Sequence, residues 1–249
     1  MNGFEMHGIK HSSISQINKW IDCPAAWAMS YLFNNKGSSS PAMWRGIFTE
    51  QAVADTITGK MKIDEAIKNA LKDFDGKTLF DDGSSAKERA NIDPMTRLAV
   101  EALEPYGKPD FPEDGQHRVS MNAKGENWEL EFMGYIDFKF PDHNLIIDLK
   151  TTMRMPSVMS IGHQRQRAFY QKSNGNAEVK FLYVTPKKCE FKEDGDVNEL
   201  MAEIKIHLTR QEAFLRLGDK EFIASVVPVN RDSFYWRGNE KVRKELFGI

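Results

Sequence analysis

The stretch "LIIDLKT" at Leu145–Thr151 places an aspartate and a lysine inside an otherwise apolar segment. Its aliphatic residues, bounded by a turn signal, predict a buried β-strand. Charged side chains are rarely buried in such a strand unless they are paired or bind a metal. Side chains two residues apart on a strand point to the same face. We therefore expect Asp148 and Lys150 to lie together.

A second strand is predicted just before this one. The stretch "NWELEFMGYIDFKF" alternates polar and apolar residues, and "PDHN" (Pro141–Asn144) is a turn signal. An antiparallel hairpin would bring Asp137 within reach of Asp148 and Lys150. Two carboxylates form an oxygen-rich site suited to Mg²⁺ or Mn²⁺, beside which a lysine can orient or deprotonate a water. The alternative is a solvated ion pair of little energetic weight.

The remaining pattern predicts a mixed α/β or α+β single domain over residues 1–249. A mainly helical part (1–115) precedes a sheet core (116–185), and a C-terminal helix and tail (186–249) follow. The expected sheet is small, mixed and flanked by helices. We predict helices over residues 12–33 with a break at Pro24, and over 44–57, 63–74, 94–104, 162–172 and 196–218; the predicted strands are 117–123, 127–140, 145–151 and 179–185.

Composition excludes several classes of protein. The 249 residues carry 34 basic and 36 acidic side chains, so no strong overall field is expected. Two cysteines, Cys23 and Cys189, cannot form a disulfide framework or a four-cysteine cluster. No apolar run approaches the roughly 20 residues of a membrane span. We expect a soluble cytoplasmic protein with no membrane partner, no zinc site and, without a phosphate-cradling glycine loop, no bound nucleotide.

Three short motifs carry a resemblance. "GYID" (Gly134–Asp137), "DLK" (Asp148–Lys150) and "QRAFY" (Gln166–Tyr170) follow one another along the chain. Their order resembles the G-x-x-D, D-x-K and Q-x-x-x-Y motifs of the RecB-like branch of the PD-(D/E)xK nuclease superfamily. The segment "SISQINKWIDCPAAWAMSYLF" is similar to the N-terminal segment of that branch. The resemblance covers about residues 13–185 and implies a restriction-endonuclease-like core.

The resemblance also implies roles for the residues at the D-x-K motif. Asp137 and Asp148 would be metal ligands, and the backbone carbonyl of Leu149 would complete the shell. Lys150 would position or activate the attacking water.

Gln166 and Tyr170 lie four residues apart, on one face of a helix. By the resemblance they would line the side of the site that faces DNA. The alternative is core packing by Tyr170 and an exposed Gln166.

Two departures from the branch are visible. "WRGIFTEQ" (Trp44–Gln51) places Glu50 where the branch often has a histidine. We expect Glu50 to be a ligand that suits Mg²⁺ or Mn²⁺, the alternative being a solvated helix glutamate. Glu131, which precedes the first motif, is a further acidic candidate.

The second departure concerns the iron–sulfur cluster of some relatives. Cys23, followed by proline, matches the N-terminal ligand position, but the tail over 230–249 has no cysteine. Because a cluster needs its thiolates, we predict none here. Cys23 would be a small buried residue. The aromatic residues Phe234, Tyr235 and Trp236 would close the same region by packing.

Basic residues collect around the motifs. The segment Asp148–Lys172 holds five lysines and arginines and one acid. We expect Arg154, Arg165 and Arg167 to contact DNA phosphates. For Arg165 and Arg167 the alternative is a solvated helix face.

Together these observations predict a Mg²⁺- or Mn²⁺-dependent DNA exonuclease that hydrolyses phosphodiester bonds in recombination, repair or replication. One alternative is a non-catalytic DNA-binding or assembly subunit on a nuclease fold, and another is a structure-specific endonuclease. Expected partners are DNA and a single-strand-binding or annealing protein or a helicase. By the resemblance, a stand-alone nuclease of this size suits a bacterial cytoplasm or a phage-infected host cell.

Overall fold

The structure, a computed structural model, describes residues 1–79, 83–112 and 115–249. Within it the chain divides into two compact units. The central unit comprises Ser39–Arg118 and Tyr135–Asp194; the terminal unit comprises Met1–Ser38, Val119–Gly134 and Gly195–Ile249. A single domain over residues 1–249 stays a prediction.

Each predicted helix is present, and the break at Pro24 is confirmed. Proline takes the first position of a helix there because its missing N–H is not needed at a helix start. Within the described residues there are four further helices that the apolar periodicity does not predict: Gly3–Met6, Ser85–Arg89, Lys220–Val226 and Glu240–Phe247. In chain order the helices are α1 (Gly3–Met6), α2 (Ile14–Asp22), α3 (Pro24–Tyr31), α4 (Pro41–Ile57), α5 (Ile63–Lys77), α6 (Ser85–Arg89), α7 (Ile92–Leu103), α8 (Ile161–Ser173), α9 (Val197–Leu215), α10 (Lys220–Val226) and α11 (Glu240–Phe247).

The strands form two small sheets, which confirms the mixed α+β class. One sheet has the strand order β1-β3-β2 and the other has the order β4-β5-β6-β7. The strands are β1 (His11–Ser12), β2 (His117–Lys124), β3 (Glu129–Ile136), β4 (Phe138–Phe140), β5 (Leu145–Thr151), β6 (Glu178–Val184) and β7 (Cys189–Lys192).

The stretch predicted as one strand over residues 127–140 is two strands. The backbone bends at Asp137, between β3 and β4, and the two strands belong to different sheets. The physical reason is the Asp137 side chain, which accepts a hydrogen bond from the backbone N–H of Leu149 at 2.8 Å. An aspartate engaged in this way interrupts the alternating pattern of a single strand.

The predicted hairpin between β4 and β5 is confirmed. These strands pair antiparallel, with Phe138 opposite Ile147 and Phe140 opposite Leu145. The turn between them is a 3₁₀ segment that ends at Asn144, whose φ of 47° is left-handed. Asparagine tolerates that conformation better than most residues do. The turn therefore fixes the register of the pair.

One face of β5 belongs to the core of the central unit. Leu145, Ile147 and Leu149 are buried in an apolar cluster with side chains of α4 and α7. Burying such a side chain completely stabilises a fold by roughly 1.5–3 kcal/mol. Asp148 and Lys150 alternate with these residues and lie on the opposite face of the strand. The core thus fixes which side of the sheet carries the charged groups.

Helix α8 connects β5 to β6, which pair in parallel. Two parallel neighbouring strands need a crossover connection of this kind, and the helix in it packs on the sheet. β7 adds an antiparallel edge to β6 and lies beyond the predicted sheet core, within the part predicted to be helix and tail.

In the terminal unit, Cys23 is fully buried, as expected. It packs in an apolar cluster with Trp236, which is also buried, and with the half-buried Tyr235. Phe234 packs on the Tyr235 ring, with ring centres 4.0 Å apart, but is itself 57% exposed and lies at the surface of this region. Its place on a short 3₁₀ turn directs it outward while Trp236 points inward. Among the described residues, no helix is long and apolar enough to cross a membrane.

Candidate active site

Asp137 and Asp148 meet at the end of the hairpin. Phe138 of β4 pairs with Ile147 of β5, so the adjacent residue Asp137 lies opposite Asp148. Asp137 is 7% exposed and Asp148 is 1% exposed. Asp137 Oδ2 accepts the N–H of Leu149 at 2.8 Å. In a strand, the N–H and C=O of one residue point to the same edge, so the Leu149 carbonyl also faces this edge.

Asp148 and Lys150 form an ion pair, which confirms that they share a face of β5. The Lys150 side chain is 25% exposed, whereas Asp148 is buried. The ammonium group also lies 5.4 Å from the ring centre of Phe181, within cation–π range. The pair is therefore not the solvated surface pair of the alternative interpretation.

Glu50 joins this cluster from α4. The side-chain amide of Gln116 bridges it to the hairpin, because Gln116 Nε2 donates to Glu50 Oε1 at 2.6 Å and to Asp137 Oδ1 at 2.7 Å. Glu50 is half-buried, so it is not a solvated helix glutamate. Glu131 lies on β3, opposite His11 of β1, in the terminal unit.

Gln166 and Tyr170 of α8 hold Asp148 from the helix side. Gln166 Nε2 lies 3.0 Å from Asp148 Oδ1 and 2.8 Å from the Tyr170 hydroxyl. That hydroxyl donates to the backbone carbonyl of Tyr135. Tyr170 is 3% exposed and Gln166 is half-buried. In this structure both residues therefore position Asp148, and their contact with DNA stays a prediction.

The three predicted DNA-binding arginines have different surroundings. Arg154 is exposed in the bend after β5. Arg167 is half-buried and donates to the carbonyl of Val179 at 3.0 Å. Arg165 is 5% exposed, which removes it from the surface and excludes the solvated helix face proposed as its alternative. Contacts of the three arginines with DNA stay predictions.

Burial raises the pKa values of the clustered carboxyl groups, and for Glu50 and Asp137 the neighbouring acids add to the increase. Burial, and then the charge of Asp148, raise the pKa of Glu50 from 4.5 to about 7. Burial and the neighbouring carboxylates raise the pKa of Asp137 well above its usual range. Burial also raises the pKa of Asp148, although Lys150 opposes that change. Such a cluster gains stability from added positive charge.

Lys150 behaves in the opposite way. Burial lowers its pKa, but the charges of Asp148, Asp137 and Glu50 raise it more, so the net pKa lies above that of an ordinary lysine. The ammonium group therefore stays protonated at neutral pH. It supplies a fixed positive charge beside the carboxylates.

Aromatic side chains lie next to Lys150. The ring of His163 stacks on Phe181 with ring centres 5.6 Å apart, and its Nδ1 is hydrogen-bonded to the Tyr183 hydroxyl. Burial and the nearby Lys150 lower the pKa of His163 to about 4. His163 is therefore neutral at physiological pH and adds no second positive charge.

Helix α4 is anchored to the end of β5 by Arg45. This arginine is 4% exposed, forms an ion pair with Glu88 and donates to the Thr151 carbonyl at 3.3 Å. Gly46 follows it, and a β-carbon there would lie 3.3 Å from Thr151 Oγ1. The close approach brings Glu50, one turn further along α4, to the hairpin.

The donor set fits a hard divalent cation. Carboxylates and backbone carbonyls are the ligands that Mg²⁺ and Mn²⁺ prefer, and Glu50, Asp137, Asp148 and the Leu149 carbonyl provide them. Within the described part of the chain, no three His, Cys, Asp or Glu side chains are arranged as a metal-binding group. Here the carboxylate oxygens accept from Gln116, Gln166, Lys150 and the Leu149 N–H instead.

Two residues of this region are missed by the sequence analysis. Gln116 belongs to none of the three motifs, and no spacing rule connects it with Glu50 or Asp137. Arg45 lies in the "WRG" stretch, and no pattern in that stretch indicates that it is buried.

Comparison with known proteins identifies no family for the chain. No protein-family model matches it, and no curated protein matches it. Among solved structures it is similar to one titled "Crystal structure of SSO0001", with a TM-score of 0.43 and 11% sequence identity. The match covers 80% of this chain and 76% of that chain. Similarity at this level assigns neither a family nor an activity.

Proposed function

We propose that this protein is a Mg²⁺- or Mn²⁺-dependent deoxyribonuclease, acting as an exonuclease in DNA recombination, repair or replication. One observation carries the proposal. The carboxylates of Glu50, Asp137 and Asp148 cluster beside Lys150, which is paired with Asp148 and still 25% exposed. Clustered acids can hold a catalytic divalent cation, and a partly accessible lysine beside them can stabilise the charge that develops on a phosphodiester during hydrolysis.

Glu50, Asp137, Asp148 and the Leu149 carbonyl would hold the cation. When bound, the cation would supply Lewis acidity at the phosphodiester and make water a stronger nucleophile. Asp137 precedes β4 and is hydrogen-bonded to β5, because its Oδ2 accepts the Leu149 N–H. Its other oxygen accepts from Gln116. The hairpin itself thus orients the ligand.

Lys150 would act as a positive charge beside the reacting phosphate. The charges of Asp148, Asp137 and Glu50 outweigh burial and raise its pKa, so its ammonium group is protonated when no cation is bound. A fixed ammonium stabilises the negative charge that develops on the phosphate in the transition state. Its pairing with Asp148 holds it in place, and Gln166 and Tyr170 hold Asp148 in turn.

The test is cleavage of three DNA substrates with Mg²⁺ or Mn²⁺: end-labelled linear duplex, end-labelled single strand and closed circles. Lys150→Ala is the inactive variant. Lys180→Ala is the matched control, because Lys180 is also on a sheet strand, is also 25% exposed and is paired with Glu178. Circular dichroism checks that each variant is folded.

We expect the wild type and Lys180→Ala to degrade linear DNA and spare circles, and Lys150→Ala to cut nothing. Cleavage of circles would instead support a structure-specific endonuclease. Binding of DNA in a gel-shift assay without metal-dependent cleavage would support the alternative of a non-catalytic DNA-binding or assembly subunit. Normal cleavage by folded Lys150→Ala would remove the basis of the proposal.

A further inference from the structure

Gln116 holds the two carboxylates that come from different parts of the central unit. It is half-buried and immediately precedes β2. Its Nε2 lies 2.6 Å from Glu50 Oε1 and 2.7 Å from Asp137 Oδ1. An amide nitrogen carries two hydrogens, so it can donate one to each carboxylate. A single neutral group therefore satisfies two acids.

The other donors occupy different carboxylate oxygens. Asp137 Oδ2 accepts from the Leu149 N–H, and Asp148 accepts from Gln166 Nε2 at 3.0 Å and from Lys150. These donors belong to the sheet and α8. Gln116 donates to two further oxygens, Asp137 Oδ1 and Glu50 Oε1.

We infer that Gln116 is a further oxygen ligand of the cation proposed for this site. Its amide turns over when the cation is present, so that Oε1 replaces Nε2 at the carboxylates. This inference rests on the proposed function. Without a cation, the amide nitrogen faces the two carboxylates because it can donate to both. With a cation bound, the amide oxygen must face the cation because only the oxygen can coordinate it.

The spacing supports the exchange. Oxygen ligands of Mg²⁺ lie at about 2.0–2.1 Å in an octahedral shell, which places neighbouring ligand oxygens about 3 Å apart. Gln116 Nε2 is 2.6 and 2.7 Å from its two carboxylate oxygens. If the amide oxygen took the position of the nitrogen, its distances to the two carboxylate oxygens would therefore be close to those between neighbouring ligands of Mg²⁺. The oxygens need to move apart by only a few tenths of an ångström to reach the ligand spacing of about 3 Å.

The charge balance also favours an amide. Three carboxylates contribute −3, Lys150 contributes +1 and a divalent cation contributes +2, which sum to zero. A neutral ligand adds a coordinating oxygen without disturbing that balance. A carboxylate at position 116 would add the oxygen too, but would crowd a fourth acid against Glu50 and Asp137 when no cation is bound.

The experiment is calorimetric titration of Mn²⁺ into the full-length wild type, Gln116→Leu, Gln116→Glu and Gln164→Leu without DNA. Leucine keeps much of the volume of glutamine but offers no oxygen. Gln164 is the matched control, because it is also half-buried and donates at 2.9 Å to a backbone carbonyl, that of Met159. Thermal unfolding with and without Mn²⁺ provides a second readout.

We expect Gln116→Leu to bind Mn²⁺ at least about tenfold more weakly than the wild type, because mutation of groups around a metal site commonly lowers metal affinity by that much. Gln116→Glu should bind at least as tightly as the wild type and show a larger rise of Tm with Mn²⁺. Gln164→Leu should bind normally.

Unchanged or tighter binding by Gln116→Leu, or equal weakening in Gln116→Glu, would overturn the inference and leave the proposed function standing. Absence of Mn²⁺ binding by the wild type would overturn both.

Discussion

Replacing Glu50 with glutamine is expected to stabilise the protein in the absence of divalent cations, and to do so mainly at neutral and alkaline pH. Burial and the Asp148 charge raise the pKa of Glu50 from 4.5 to about 7. An acid whose pKa is higher in the folded than in the unfolded chain costs stability as pH rises, because the unfolded chain releases the proton first. Glutamine has no proton to release, and its oxygen can still accept from Gln116.

The magnitude follows from the two pKa values. The interval from 4.5 to about 7 corresponds to about 3 kcal/mol, since one pH unit is worth about 1.4 kcal/mol. The cost is absent well below pH 4.5, grows between 4.5 and about 7, and is constant above that range. Because Glu50 is only half-buried, about 3 kcal/mol is a ceiling. For a chain of this size it corresponds to roughly 6–12 °C in Tm.

The assay is thermal unfolding in EDTA at pH 5 and pH 8. Glu190→Gln is the control, because a hydrogen bond from Lys188 lowers the pKa of the Glu190 carboxyl and gives the opposite sign. We expect Glu50→Gln to have a higher Tm than the wild type at pH 8 and a much smaller advantage at pH 5. Glu190→Gln should gain nothing at pH 8. Saturating Mn²⁺ should then stabilise the wild type more than Glu50→Gln. A Glu50→Gln variant no more stable than the wild type at pH 8 in EDTA would refute the reasoning.

Three further changes test the surroundings of the cluster. Tyr170→Phe removes the hydroxyl that holds Gln166 and should lower kcat roughly tenfold; an unchanged kcat would contradict this role. Arg45→Met breaks a buried ion pair and should cost about 3 kcal/mol in urea unfolding, whereas Arg97→Ala removes exposed pairs and should cost much less. Equal losses would show that burial of Arg45 does not matter. Arg154→Ala should weaken DNA binding equally for all sequences and reduce the salt slope by about 1, measured by fluorescence anisotropy, and unchanged affinity would exclude a phosphate contact.

Local patterns sufficed for the part of the site built on the hairpin. Alternation along "LIIDLKT" predicts that Asp148 and Lys150 share a face, and the ion pair between them agrees. The "PDHN" turn predicts the antiparallel partner strand that brings Asp137 opposite Asp148. These relations extend over only a few residues, so strand periodicity and turn chemistry determine them.

Contacts between distant segments were harder to predict. Gln116 lies 66 residues from Glu50 along the chain, and no periodic pattern connects the two. The two-residue strand β1 is too short to produce an alternating signal. Tyr170 was correctly placed on the face of α8 that carries Gln166, but its burial depends on how closely the helix packs on the sheet. Tertiary packing decides each of these features.

The most direct test of the central claim is Mn²⁺-dependent cleavage of end-labelled linear duplex DNA by Asp148→Asn and Asp142→Asn. Asp148 is buried in the cluster, whereas Asp142 is exposed in the turn of the same hairpin. If the carboxylates of the cluster hold the catalytic cation, Asp142→Asn cleaves like the wild type and folded Asp148→Asn does not cleave. Equal cleavage by the two variants, or none by the wild type, would contradict the claim.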